Sequence, residues 1–392
     1  MKYDFDKIAN RKNTGSIKYD FFHENGLAED TIPLWVADMD FSAPYEVTEK
    51  LKDIASHGIF GYSDTKDSYY EAVHDWFSKY HGFETKPEWM VKTPGVVFSI
   101  ATAIRSFSEE GEGILIQRPV YYPFERIIKA NNRKVVNNAL KYENGKYVID
   151  FDDFERVLKN ENVKLFILCS PHNPVGRVWL KEELKIMGEL CLKYNVIVVA
   201  DEIHCDFTYP NHQHIPFASI CDDFAQNSIV CTSPSKTFNL AGLQTANIFI
   251  ANNTLKQKFT KSIHATGFGG LSIFGLAACE TAYRFGNEWL SQLKDYLYDN
   301  LCFAKEYLKR NLPNIRIIEP EGTYLLWLDF SGYDLEERHI NDIIRQKARL
   351  WLDEGSLFGS EGKNFQRINI ACPRKILKDA LLRLKEALTD IK

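Results

Sequence analysis

NVIVVADEIHCDF (195–207) and SIVCTSPSKTFNLAGL (228–243) decide how this chain is read. In the first, the apolar run Val196–Ala200 ends at Asp201; in the second, Ile229–Thr232 ends at Ser233, Ser235 and Lys236. Each run is about five residues long and β-branched, which suits a buried strand and is too short for a buried helix. Side by side and parallel, two such strands bring Asp201 and Lys236 to one carboxyl edge of a sheet, where open α/β sheets bind ligands.

An acid and a lysine so placed suit pyridoxal phosphate, which is held by a lysine Schiff base with an acid opposite its ring nitrogen. The same two residues equally make a structural ion pair at a sheet edge, and the pair alone does not separate the readings.

The remaining chain supplies the context. Its 392 residues exceed what one core usually serves, so two domains are expected. Hydrophobic residues make up 45% and charged residues 26%, ordinary for a soluble globular protein. The net charge of −5 without a long basic run argues against nucleic acid as the main partner. No apolar stretch approaches the roughly 20 residues of a membrane span. MKYDFDKIANRKNTGS has no apolar core of a signal peptide, so a cytoplasmic location is expected. Eight cysteines are scattered, several inside apolar runs, with no C-x-x-C pair; free buried thiols are expected rather than disulfides or zinc. His212 and His214 read as a surface loop, and no metal is expected.

Upstream, residues 1–30 read as an irregular arm. Asp38 and Asp40, in IPLWVADMDFSAP, are expected to cap the helix that follows, Tyr45–His57, although two carboxylates so spaced also suit a metal or a shared proton. Tyr62 sits in a loop, and Ser68–His81 is a second helix. Pro94-Gly95 opens a helix over Val96–Phe107, whose free backbone N–H groups would suit an anion, though an ordinary helix start explains them as well. From Gly113 strands and helices alternate: strands at 114–117, 134–140 and 164–170, helices at 127–130, 151–160 and 180–194, and a further strand at 246–251. Tyr121 and Tyr122 follow the first of these strands. Asn173 lies in SPHNPVG, a rigid loop at a strand's carboxyl end. The alternation predicts a doubly covered, mostly parallel sheet. Neither G-x-G-x-x-G after a strand nor G-x-x-x-x-G-K-[ST] is present, so dinucleotide and P-loop binding are unsupported. After Gly286 one long amphipathic helix ends before Pro313. Strands at 315–319, 324–330 and 367–372 follow, and a last helix spans about 376–391. Arg367 and Asn369 share one face of their strand.

Asn173-Pro-Val-Gly, Asp201-Glu-Ile-His, Ser233-Pro-Ser-Lys236 and Arg367-Ile-Asn369, in this order, resemble the fold-type I pyridoxal phosphate enzymes of the aminotransferase class I/II superfamily. WVADMDF, FGYS, PGVV, SPHNPVG, ADEIH and RINIACPR resemble within it the bacterial cystathionine β-lyases and cysteine-S-conjugate β-lyases of the MalY/PatB type. The resemblance covers nearly the whole chain. It implies a large cofactor domain over 46–285 with a mostly parallel seven-stranded sheet, and a smaller α+β domain from 1–45 and 286–392.

The resemblance also implies roles. Lys236 would hold pyridoxal 5′-phosphate covalently and serve as acid–base. Asp201 would face the ring nitrogen, Asn173 the phenolic oxygen, and Tyr121 the ring. Gly95, Val96, Val97, Ser233 and Ser235 would hold the phosphate. Arg367, with Asn173, would bind the substrate carboxylate, and Tyr62 would reach the neighbouring site of a homodimer. Two positions depart from many aminotransferases of the superfamily: Gln244 stands where an Arg touches the phosphate, and His204 where a Tyr follows the acid. His204 either bonds the phenolic oxygen or is a packed imidazole. Both departures fit the lyase subgroup. The activity implied is α,β-elimination from an L-amino acid with sulfur on Cβ, such as cystathionine, cysteine or an S-conjugate. The loops 35–40, 121–124 and 355–362 would set side-chain specificity. The alternatives are an aminotransferase on the same scaffold and a cofactor-bound regulator acting through protein contact.

Overall fold

The two runs that end at Asp201 and Thr232 lie side by side as parallel strands in the computed structural model, which describes residues 3–389. The strands in chain order are β1 (Ile32–Pro33), β2 (Met90–Thr93), β3 (Gly113–Ile116), β4 (Lys134–Asn137), β5 (Lys141–Glu143), β6 (Lys146–Val148), β7 (Val163–Cys169), β8 (Ile197–Asp201), β9 (Ser228–Thr232) and β10 (Ala246–Phe249). Then come β11 (Arg316–Ile317), β12 (Leu325–Asp329), β13 (Leu350–Trp351), β14 (Asp353–Glu354) and β15 (Phe365–Asn369). Seven of them form one sheet in the order β2-β10-β9-β8-β7-β3-β4. Only β10 runs against its neighbours. The link from β9 to β10 carries just a four-residue helix, Pro234–Thr237, and one 3-10 turn, Ala241–Leu243. Parallel neighbours need a longer crossover, usually a full helix, so the chain turns back instead.

Both faces of the sheet are covered. On β7, Leu165 and Ile167 join one apolar cluster with Ile100 and Ile104 of the helix Val96–Phe107, while Phe166 and Leu168 join the other. Alternate residues of a strand point to opposite faces, so near-continuous apolar runs are what a doubly covered strand requires.

A second sheet, β11-β12-β15-β14, is antiparallel and lies beyond the 25-residue helix Asn287–Asn311. In the amino-terminal arm, β1 pairs in parallel with β13. The final helix is Arg374–Leu388; the expected end at Ile391 lies outside the described residues. Several boundaries differ from expectation. The helix expected at 127–130 begins at Pro123, and the strand expected over 134–140 stops at Asn137. The β5–β6 hairpin, with Asn144 and Gly145 at positive φ, was not foreseen.

Two expectations about charged residues are corrected. Asp38 and Asp40 cap no helix, since the cap of Tyr45–His57 is Pro44 with no side-chain bond. They bind the arm instead. Arg11 donates to both, and Lys18, at 0% exposure, lies 3.0 Å from Asp40 and 3.4 Å from Asp38. His214 is not a surface residue: it is buried, with Nε2 3.1 Å from a carboxylate oxygen of buried Glu202. Six cysteines are buried and two, Cys221 and Cys302, are exposed; all are free thiols. Among the described residues no helix is long and apolar enough to cross a membrane.

Candidate active site

A cavity of about 400 Å³ opens at the carboxyl ends of the parallel strands. Its lining includes Gly95, Val96, Val97, Tyr121, Asn173, Asp201, His204, Ser233, Ser235, Lys236 and Arg367. Of the residues to which the resemblance assigns a role, Tyr62 alone is elsewhere: it stands fully exposed in the loop between the first two helices.

Asp201 is the last residue of β8 and is buried. Its carboxylate accepts from the Ile203 N–H at 3.2 Å. Burial raises its pKa to about 7, against the pull of that bond and of Lys236. Lys236 sits in the short helix after β9, half-buried, with Nζ donating to the Ala37 carbonyl at 2.7 Å. Burial lowers its pKa to about 8; Asp38 and Asp201 counter the fall and Arg367 adds to it. The pair is thus poised near neutrality, a pattern that clusters at functional sites.

The helix Val96–Phe107 starts at the cavity wall with Gly95 as its cap and no side chain capping its first N–H groups. The first N–H groups of a helix have no partner within it, so they are free for an anion. Ser233 caps the lysine's helix: its hydroxyl accepts from Ser235 N–H and donates to the Thr245 carbonyl at 2.6 Å. That proton is committed, which leaves Ser235 as the freer hydroxyl.

Opposite stands Arg367, 2% exposed, on β15. It donates to Asn173 Oδ1 at 3.0 Å, to the Trp35 carbonyl at 2.7 Å and to Asp353. Asn173 thereby keeps its amide N–H groups for another partner. Buried His204 has an unpartnered Nδ1, and burial holds its ring neutral. Burial likewise keeps the Tyr121 hydroxyl protonated.

The donor set fits pyridoxal phosphate. An amine of lowered pKa suits its aldehyde, a buried carboxylate suits its ring nitrogen, and a helix start suits its phosphate. The unpartnered His204 Nδ1 is the mark of a site that expects one more polar group. Sequence reasoning missed Asp353, the Ala37 carbonyl and Tyr324, whose hydroxyl also donates to Ala37 O at 3.0 Å. The first lies on a two-residue strand and the second is backbone, so neither leaves a pattern.

Comparison with known proteins agrees with this geometry. The model of the family "aminotransferase class I and II" matches residues 29–384. Cystathionine beta-lyase PatB of Bacillus subtilis is 42% identical, the match covering 98% of this chain and 100% of that one. Cystalysin from Treponema denticola, whose crystal structure contains a pyridoxal 5′-phosphate cofactor, superposes with a TM-score of 0.97 at 38% identity and full coverage of both chains. The PLP-bound C-S lyase from Staphylococcus hominis gives 0.93 at 33% identity, covering 99% of this chain and 98% of that one. With one cavity gathering the lysine, the acid and the arginine, and with a family match over most of its length, the chain belongs to the aminotransferase class I and II family.

Proposed function

We propose that this protein is a pyridoxal-phosphate-dependent carbon–sulfur β-lyase. Its substrate is an L-amino acid bearing sulfur on Cβ, such as L-cystathionine, L-cysteine or an S-conjugate, and its products are a thiol, pyruvate and ammonia. The observation that carries the reading is the single cavity shared by Lys236, Asp201, Asn173 and Arg367 at the start of the helix Val96–Phe107, in a chain 42% identical to a cystathionine β-lyase. Bound pyridoxal phosphate supplies an electron sink for the charge that forms at the substrate Cα.

The chain's own residues do the rest. Lys236 Nζ would hold the cofactor and, as a free amine, would take the Cα proton, a task suited to a pKa near the working pH. The ammonium so formed is an acid for the departing sulfur. Asp201 is a buried carboxylate whose ionised form needs a cationic partner, and a protonated ring nitrogen is one. Asn173 N–H and His204 serve the phenolic oxygen. Tyr121, which lines the same cavity, would cover the ring. The amides at Gly95, Val96 and Val97, with the Ser235 hydroxyl and the neighbouring Ser233, serve the phosphate. Arg367 and Asn173 hold the α-carboxylate, for which a guanidinium fork is suited. We read residues 46–285 as the cofactor-binding unit and 1–45 with 286–392 as the smaller one. We also propose a homodimer in which exposed Tyr62 serves the phosphate of the other protomer; exposed Ile59 and Phe60 beside it support a covered loop.

The test is a product assay on cofactor-loaded protein with L-cystathionine, following pyruvate and thiol together. A parallel run contains a 2-oxo acid. Equal pyruvate and thiol without the oxo acid are expected. Turnover only with the oxo acid, and no thiol, would make the protein an aminotransferase. Light scattering of the same sample tests the dimer, and a monomer mass would refute it.

A further inference from the structure

Arg367 does not stand alone. Antiparallel β14 and β15 place Asp353 directly opposite it in register. Directly opposed residues on such a pair project to the same face within reach of each other. The Asp353 carboxylate accepts from the Arg367 guanidinium, and both side chains are buried, at 3% and 2% exposure. Three further contacts add to the hold. The guanidinium lies 4.9 Å from the centroid of the Phe358 ring; Nη1 donates to Asn173, and Nη2, which also serves Asp353, donates to the Trp35 carbonyl. Arg367 lines the cavity and Asp353 does not, so the carboxylate lies behind the arginine rather than in the substrate's place.

We propose that Asp353 is the positioning residue for recognition of the substrate α-carboxylate, fixing from behind the orientation of the Arg367 guanidinium that faces the cavity. The inference rests on the reading of Arg367 given above. A long, flexible side chain gains most from a fork when its geometry is set beforehand, because less freedom is lost on binding. Asp353 also supplies the counter-charge that makes a buried guanidinium tolerable in the absence of substrate. It touches no reacting atom and acts only through Arg367.

The experiment measures binding rather than turnover. Holoenzyme is titrated with L-alanine, which has no sulfur to lose, and with ethylamine, which has no carboxylate, and the absorbance change of the bound cofactor is followed. In Asp353→Ala the Kd for L-alanine is expected to rise about tenfold or more, the scale of a lost charge-assisted contact. The Kd for ethylamine is expected to stay within about twofold of wild type. Asp353→Asn, which keeps an oxygen for the guanidinium but not the charge, falls between, and it carries the test if the alanine variant does not fold. Wild-type affinity for L-alanine in either variant overturns the proposal, as does an equal loss for L-alanine and ethylamine. A wild-type enzyme that binds ethylamine as well as L-alanine would instead overturn the role of Arg367 itself.

Discussion

The lowered pKa of Lys236 has a kinetic consequence that can be measured on the apo-protein. Only the free amine attacks an aldehyde, so the rate of covalent cofactor capture follows the fraction of Lys236 that is unprotonated. With a pKa of about 8, that fraction is about 9% at pH 7 and about 90% at pH 9, a tenfold rise followed by a plateau. An ordinary lysine near 10.4 would go from about 0.04% to about 4%, a hundredfold rise with no plateau in the same range. The cause is burial first, with Arg367 adding and Asp38 and Asp201 opposing. The assay mixes apo-protein with excess pyridoxal phosphate across pH 6.5–10 and follows absorbance by stopped flow. Borohydride trapping and mass spectrometry confirm the site, and Lys236→Ala should retain no reduced adduct. A capture rate that climbs log-linearly through pH 9.5 would refute the reasoning, since it would mean that the amine is solvated like any surface lysine.

Asp201 makes a prediction about stability. Its folded pKa is raised to about 7 from 3.8, so between these values the folded chain holds a proton that the unfolded chain has lost, and stability falls as pH rises through that window. Asp201→Asn should remove the penalty. The apo-variant should therefore be more stable than apo-wild type at pH 8, by up to about 4 kcal/mol, with the difference vanishing toward pH 4 in urea titrations; no pH dependence in the difference would count against it. Lys18→Met leaves buried Asp40 with Arg11 and the Tyr19 hydroxyl alone. With Arg11 still compensating the carboxylate, losing this one charge-assisted bond costs about 1.5–3 kcal/mol, and a urea-derived loss below about 1 kcal/mol would show that the arm does not bear on the fold.

The parts of the molecule that sequence reveals are those carried by local chemistry. Runs such as Ile197–Ala200 have the composition of doubly covered strands, and their ends point out Asp201 and Lys236 without any long-range knowledge. The hairpin at 141–148 was within reach too, because Asn144-Gly145 between alternating residues is a strong turn signal. The direction of β10 follows from the length of the link before it, which is visible only once the short helix at Pro234–Thr237 is known. Asp353 was beyond reach for a different reason. Two residues have no periodicity, and the partner of Arg367 is decided by sheet register rather than by spacing. Lys18 lies in an arm without periodicity, and only the fold brings two carboxylates to it.

The segment 35–40 shows why such hidden contacts matter to the chemistry. Its backbone carbonyls are acceptors for the site: Trp35 O for Arg367, Val36 O and Asp38 O for Asn369, and Ala37 O for both Lys236 and Tyr324. The same segment is tied down by the side chains of Asp38 and Asp40 through Arg11 and Lys18. A carbonyl holds an amine in place but carries no net charge. Had a carboxylate taken the position of Ala37 O, its Coulomb attraction would have stabilised the ammonium and moved the pKa of Lys236 back up. The full negative charges act on Lys236 only from Asp38 and Asp201, and Arg367 opposes them. The segment thus does both: Ala37 O holds the amine without charging it, while Asp38, itself paired with Arg11 and Lys18, is the first of the charges that raise the amine's pKa against burial.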